Sequence, residues 1–186
     1  MRAVRDCALR LAFPLMKQAM QMEAISAIHT KEDSNMNPKQ IALVQESFAK
    51  VLPIADPAAA MFYKRLFETA PELKALFKGD MQQQGKRLMS MIGVAVGKLN
   101  DLPGLAPALH DLGRRHAGYG VKPENYAPVG GALLWTLEQG LGAAFTDEVK
   151  QAWTAVYGVL ADSMMNAAVG SSQTTIRSSG TALASK

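Results

Sequence analysis

From Asn37 to about Ala168, apolar residues return every three or four positions, the period of an amphipathic helix, and no stretch of convincing length alternates as a strand does. This spacing predicts a succession of helices. The first opens at NPKQ, where Asn37 caps, Pro38 suits the first helical position and Gln40 stands as the capping-box partner. It runs to about Leu52 with Ile41, Val44 and Phe48 on one face, followed by Val51 or Leu52, and Pro53 ends it. Asp56 and Pro57 repeat the cap-and-proline device and predict a second helix through AAAMFYKRLFETA, with Tyr63, Leu66 and Phe67 sharing a side. PELKALF reads as a short helical turn, and Gly79 and Asp80 as a loop.

A third long helix is expected from about Gln82, through QQQGKRLMSMIGVAVGKL. It is apolar on nearly every side after Leu88, which predicts a central helix buried between partners. Asn100 to Gly104 read as a break, and the next helix carries the segment LHDLGRRHAGYGV. Pro123 starts the following one, with Pro128 bending its first turns. Thr146 is the expected cap of the last helix, with Asp147 and Glu148 near its positive end and Val149, Trp153, Val156, Leu160 and Met164 along one face.

The two ends differ in texture. Over residues 1–35, Arg2, Arg5 and Arg10 surround a short apolar run that Pro14 interrupts. Four readings stand open there: a poor secretory signal, an amphipathic surface helix, plain disorder, or a segment upstream of a natural start at Met36. Residues 169–186, rich in Ser, Thr and Gly, read as a disordered tail. The chain thus divides into an N-terminal extension (1–35), a helical body (36–168) and a tail (169–186). The expected class is all-α, a single domain with flexible extensions.

Composition narrows the chemistry. With 186 residues, 48% of them hydrophobic, the chain can fill one ordinary core. A balance of 20 basic against 16 acidic residues, with no basic run interleaved with aromatics, argues against nucleic-acid binding. The single cysteine, Cys7, excludes an intrachain disulfide and a thiolate metal cluster, and fits a reducing compartment such as the cytoplasm. No apolar run reaches the roughly eighteen residues that would span a bilayer, and zinc-hydrolase, phosphate-loop and nucleophile-elbow motifs are lacking.

One histidine stands out. Leu109, Leu112 and His116 form one helical stripe, whereas His110 is rotated by about 120° onto the side of Asp111 and Arg114. Gly118 and Gly120 are expected to close that helix, leaving the His116 imidazole at its end among apolar residues. A neutral imidazole in such a setting is the usual donor to haem iron, and on spacing alone a satisfied core histidine stands beside it as the plainer alternative.

In chain order, FYKRLF, PELKALF, LGRRHAGYGV, ENYAPVGGALLWTLE and AWTAVYGVLA resemble a bacterial single-domain globin, similar to the haemoglobin domain of flavohaemoglobins, over residues 36–168. The resemblance implies the globin fold and haem b, with His116 as the iron ligand. It implies Phe77 against the haem, Tyr63 and Gln84 as distal polar residues and Tyr126 near the ligating imidazole. Gln84 is preferred to Gln82 and Gln83 because it lies one turn from Leu88, placing amide and apolar side chain over one haem face. Arg87 and Arg115 are candidates for the haem propionates, with solvent as their alternative. Where flavohaemoglobins supply a glutamate from the last helix, this sequence has Ala168, a departure that weakens an oxygen-activating reading.

The function implied is reversible, high-affinity dioxygen binding. The alternative is a nitric oxide dioxygenase served by a separate reductase, because no flavin or nicotinamide region is visible in the sequence. A sensor would need an output domain, and a haem-free helical interaction module is the plainest alternative. The partners expected are dioxygen and other diatomic gases, with no nucleic acid and no membrane, in a monomer or homodimer.

Overall fold

The computed structural model describes residues 36–178, with side chains through residue 168, and its compact unit begins at Asn37. The readings of residues 1–35, and of the tail over 179–186, lie outside the described residues.

Helix α1 (Pro38–Val51) starts on the capping box the sequence predicts: the Gln40 amide donates to Asn37 Oδ1 at 2.9 Å, and the Asn37 amide donates to Gln40 Oε1 at 3.0 Å. A 3₁₀ turn over Leu52–Ile54 then runs straight into α2 (Ala55–Thr69). Asp56 therefore does not cap. The N-cap is Ile54, and Asp56 lies in the first turn, where its charge faces the positive end of the helix dipole. After a 3₁₀ segment over Pro71–Leu76, α3 (Met81–Gly97) is capped by Asp80, which accepts from the Gln83 amide at 2.9 Å.

Helix α4 (Leu102–Gly118) begins inside the expected break, because the Asp101 carboxylate accepts from the Gly104 amide at 3.0 Å and Pro103 is tolerated in the first turn. Pro123–Asn125 forms a 3₁₀ turn before α5 (Tyr126–Leu141). The last helix, α6 (Asp147–Ser178), carries its backbone ten residues beyond Ala168, where the sequence reading ends the body. No proline interrupts it, and extending an existing helix adds a hydrogen bond for each residue fixed. No strand occurs among the described residues, and the class is all-α.

The most extensive packing joins α4 to α6, followed by α2 to α5, α1 to α6 and α2 to α3. Gly113 is what lets α4 and α6 meet backbone to backbone: a Cβ there would lie 2.2 Å from the Met164 carbonyl oxygen. Val44, Leu66, Leu99, Trp153 and Val156 are fully buried, and the Trp153 indole N–H donates to Ser47 Oγ at 2.9 Å, so the one polar atom of that ring is satisfied.

Helix α3 is not the central helix its apolarity suggests. It packs mainly on α2 and α1, Gly85 and Val96 are its buried residues, and Met91 and Val94 are 46% and 53% exposed. Apolar periodicity reports the wish for partners, not their number. Helices α3 and α4 are not among the closely packed pairs.

Candidate functional site

Histidine 116 occupies the last turn of α4, half-buried, on the stripe that begins with buried Leu109. Its Nδ1 lies 2.9 Å from the Leu112 carbonyl oxygen. A carbonyl only accepts, so Nδ1 carries the proton and Nε2 presents its lone pair. His110 is exposed, as its rotation predicts. The end of the helix is fixed by the Val121 amide donating to the His116 carbonyl and the Gly120 amide donating to that of Ala117, both at 3.0 Å. Gly120 takes the left-handed conformation this closure needs (φ 86°), while Gly118, expected to share the task, stays helical.

Tyr126 opens α5 beside this imidazole, its ring centroid 6.4 Å away and inclined by 28°. Behind it, the Tyr157 hydroxyl from α6 donates to the Tyr126 carbonyl at 2.6 Å. Burial pushes the Tyr157 phenol far above its ordinary range, nearby Tyr126 adds to the shift, and the Gly130 amide donating to its oxygen opposes it. A Cβ on Gly130 would come within 2.6 Å of the Tyr157 ring, so this glycine makes the slot the ring fills.

A second group of residues assembles on α2 and α3. Tyr63 is buried, with Phe62, Phe67 and Phe77 packed round its ring at centroid distances of 5.0, 5.8 and 5.3 Å. Burial raises its pKa above that of an ordinary phenol, and the Gln84 amide donating to the phenol oxygen works in the opposite direction. Gln84 is half-buried beside this phenol, whereas Gln82 and Gln83 are exposed. Leu88, one turn on, packs against the same cluster.

Helix α5 links the two groups: Tyr126 at its start stacks loosely beside His116, while Val129 and Leu133, one and two turns along, pack against the Tyr63 cluster. Arg87 and Arg115 are both exposed, the latter 3.9 Å from Asp111, whose other carboxylate oxygen binds Arg114. A cavity of about 20 Å³ lies between Phe48, Phe62, Leu88, Ile92 and Trp153, and neither Tyr63 nor His116 lines it. No group of three or more metal-ligating side chains occurs among the described residues.

Three features escape a reading of side-chain types: the Leu112 carbonyl, the Tyr157 hydroxyl on a backbone oxygen, and the glycines at 113 and 130. Only spatial proximity reveals them, since a helical glycine without a positive φ carries no local signal.

Comparison with known proteins gives a consistent likeness. The globin family profile matches residues 60–164. A neuroglobin of Tetraodon nigroviridis is 34% identical over 143 residues, covering 69% of this chain and 90% of that protein. A flavohemoprotein of Rhizobium meliloti (strain 1021) is 38% identical over 104 residues, which are 54% of this chain and 26% of that longer relative. Among solved structures, a bacterial globin from Campylobacter jejuni shares the fold with a TM-score of 0.65 at 23% identity, over 74% of this chain and 99% of that one. An engineered carbene transferase, made from a putative nitric oxide dioxygenase of Rhodothermus marinus, does so with a TM-score of 0.69 at 23% identity, over 76% and 99% of the two chains.

Proposed function

The chain belongs to the globin family, and from that premise we propose that it holds haem b through His116 and binds dioxygen reversibly and with high affinity. Globins bind haem and, through it, diatomic gases. The observation that carries the residue assignment is the bond from His116 Nδ1 to the Leu112 carbonyl, which leaves Nε2 as an electron-pair donor at a half-buried helix end. The donor set fits the group: a single neutral imidazole, the Phe77 ring and apolar Leu88 suit a flat apolar macrocycle, with the exposed cations Arg87 and Arg115 assigned to its carboxylate edge.

Bound haem supplies an iron site for a small gas. The protein's share would lie in the polar pair of Tyr63 and Gln84, whose phenol and amide would donate hydrogen bonds to a polar diatomic ligand. Each neutral bond contributes about 0.5–1.5 kcal/mol, so the pair together slows release by roughly fivefold to over a hundredfold. Leu88 and Phe77 keep water from competing for those donors. On the other side, Leu112 holds the imidazole tautomer and Tyr126 covers a ring face.

A second reading, nitric oxide dioxygenase, draws support from the flavohemoprotein likeness and from the same distal pair. It needs an electron donor at each cycle, hence a reductase as partner. Ala168, at the position where the flavohaemoglobin resemblance expects a carboxylate, favours the carrier.

The deciding experiment is titration of the purified chain with haemin, followed by absorption spectra of the reduced form with and without carbon monoxide and dioxygen. A gas-sensitive haem spectrum is expected, and His116→Ala should lose stable haem binding. A His116→Ala chain that keeps its haem unchanged removes the ligand assignment. Sustained nitric oxide consumption with a cell-extract reductase would move the assignment to the enzyme, whereas a single turnover would leave the carrier.

A further inference from the structure

Helix α3 holds no aspartate or glutamate along its 17 residues, in a chain with 16 acidic residues. Its packed side is marked by Gly85, which faces Ala59 of α2, and by Gly93, which faces the Phe48 ring of α1. At about 100° per residue, the opposite side falls to Arg87, Met91 and Val94 and to Lys98 at the C-cap, which follow one another at helical spacing in a stripe about 16 Å long. All four are exposed, so two apolar side chains lie in water between a cation at either end, and exposed Lys86 stands beside them. Among the described residues, none of these three cations is paired with a carboxylate.

This charge pattern selects what can cover the stripe. A second copy of the chain does not suit it. Laid antiparallel, Arg87 meets Lys98, and laid parallel, each cation meets its own like, so either two-fold pairing sets equal charges together. A bilayer surface is poorly matched too, because helices that lie in that interface bury a broad apolar face rich in Trp, Phe or Leu, and here the apolar part is one Met and one Val. The match is a small acidic protein face with carboxylates flanking a few apolar side chains. Faces of that size serve the brief encounters of electron-transfer proteins.

The position of the stripe agrees with its chemistry. Gln84 and Leu88, which the proposed function sets against haem, lie only about 20° and 60° round the helix from Met91. A protein seated on the stripe therefore borders the haem-facing side. We infer that the stripe from Arg87 to Lys98 is the docking surface for an acidic electron-carrier protein, bearing flavin or an iron–sulfur centre, that keeps the chain in its ferrous, gas-binding state. One electron leaves the reduced carrier and converts Fe(III) to Fe(II), with no bond made or broken. The inference rests on the proposed binding of haem.

The test uses the full haemin-loaded chain and an acidic flavodoxin as the probe, oxidised for titration calorimetry and photoreduced for stopped-flow reduction under carbon monoxide. Binding is expected at about 20 mM salt and should be at least about tenfold weaker at about 200 mM. Lys86→Glu and Lys98→Glu should each weaken binding by roughly three- to tenfold and slow reduction in proportion. Val94→Ser should weaken binding at both salt concentrations. Lys150→Glu, the same change of charge at an exposed position of α6, should leave both readouts as in the parent, and dithionite, which needs no docking, should reduce every variant alike. A parent that shows no carbon monoxide spectrum after dithionite defeats the haem assignment. A haem-loaded parent whose flavodoxin binding is indifferent to Lys86→Glu and Lys98→Glu, or is weakened equally by Lys150→Glu, overturns this inference alone, as does binding to phosphatidylglycerol vesicles without binding to flavodoxin.

Discussion

At the scale of single residues, two buried phenols do different work. Tyr63 presents its oxygen to Gln84 inside a cage of three phenylalanines, so Tyr63→Phe removes one donor while keeping the ring packing. Losing one hydrogen bond of about 0.5–1.5 kcal/mol should speed dioxygen release by roughly 2- to 13-fold in a stopped-flow displacement experiment. An unchanged rate would remove Tyr63 from the ligand pocket. Because burial holds this phenol protonated beyond its usual range, the parent's release rate should stay level through mildly alkaline pH. Tyr157 governs stability instead. Its pKa is raised in the folded chain relative to the value near 10 of an exposed tyrosine, so its contribution is complete below about pH 10. Above that the unfolded chain ionises first, and stability falls as pH rises towards the folded value. Denaturant midpoints measured across alkaline pH should show this decline, and Tyr157→Phe should flatten it. A decline unchanged in the variant would assign it to other groups.

At the scale of elements, the α4–α6 crossing is where a small change has the largest structural effect. Gly113→Ala would set a methyl group against the Met164 carbonyl with no flexible side chain to yield, so the helices must part. Such overpacking costs about 1–3 kcal/mol, and each kcal/mol lowers the melting temperature of a chain this size by roughly 2–4 °C. A thermal melt that does not fall would mean that the crossing relaxes freely. The same crossing shows what a sequence can and cannot tell. The Asn37–Gln40 box was legible because all its parts lie within one turn, and the stripe through Leu109 and His116 because burial follows a fixed period. Asp56 misleads because the preceding 3₁₀ turn hands the chain directly to α2, so that the N-cap is Ile54 and Asp56 already lies inside the first turn. The partner count of α3 is a tertiary fact, invisible to a pattern that records only apolarity. The Tyr157 contact joins a hydroxyl to a backbone oxygen 31 residues away, and a backbone oxygen has no sequence signature. The segments that carry the globin likeness were legible because several motifs occur in a fixed order.

At the scale of the whole molecule, burial is uneven from helix to helix. The α1–α6 side has the buried Trp153–Ser47 bond and fully buried Val44 and Val156. By contrast, α3 exposes Met91 and Val94, and α4 carries a half-buried imidazole with an available lone pair. A cofactor that binds only the folded chain stabilises it by mass action, about 2.7 kcal/mol at a hundredfold excess over its dissociation constant. If haem packs against α3 and α4, that gain must be distributed unevenly. Amide hydrogen exchange should slow on adding haemin chiefly in α3 (Met81–Gly97) and α4 (Leu102–Gly118), where local opening is now cheapest, and least in α1 (Pro38–Val51). With His116→Ala, the added protection of α4 should vanish while that of α1 stays unaltered. Uniform slowing along the chain would mean that haemin acts only on global unfolding.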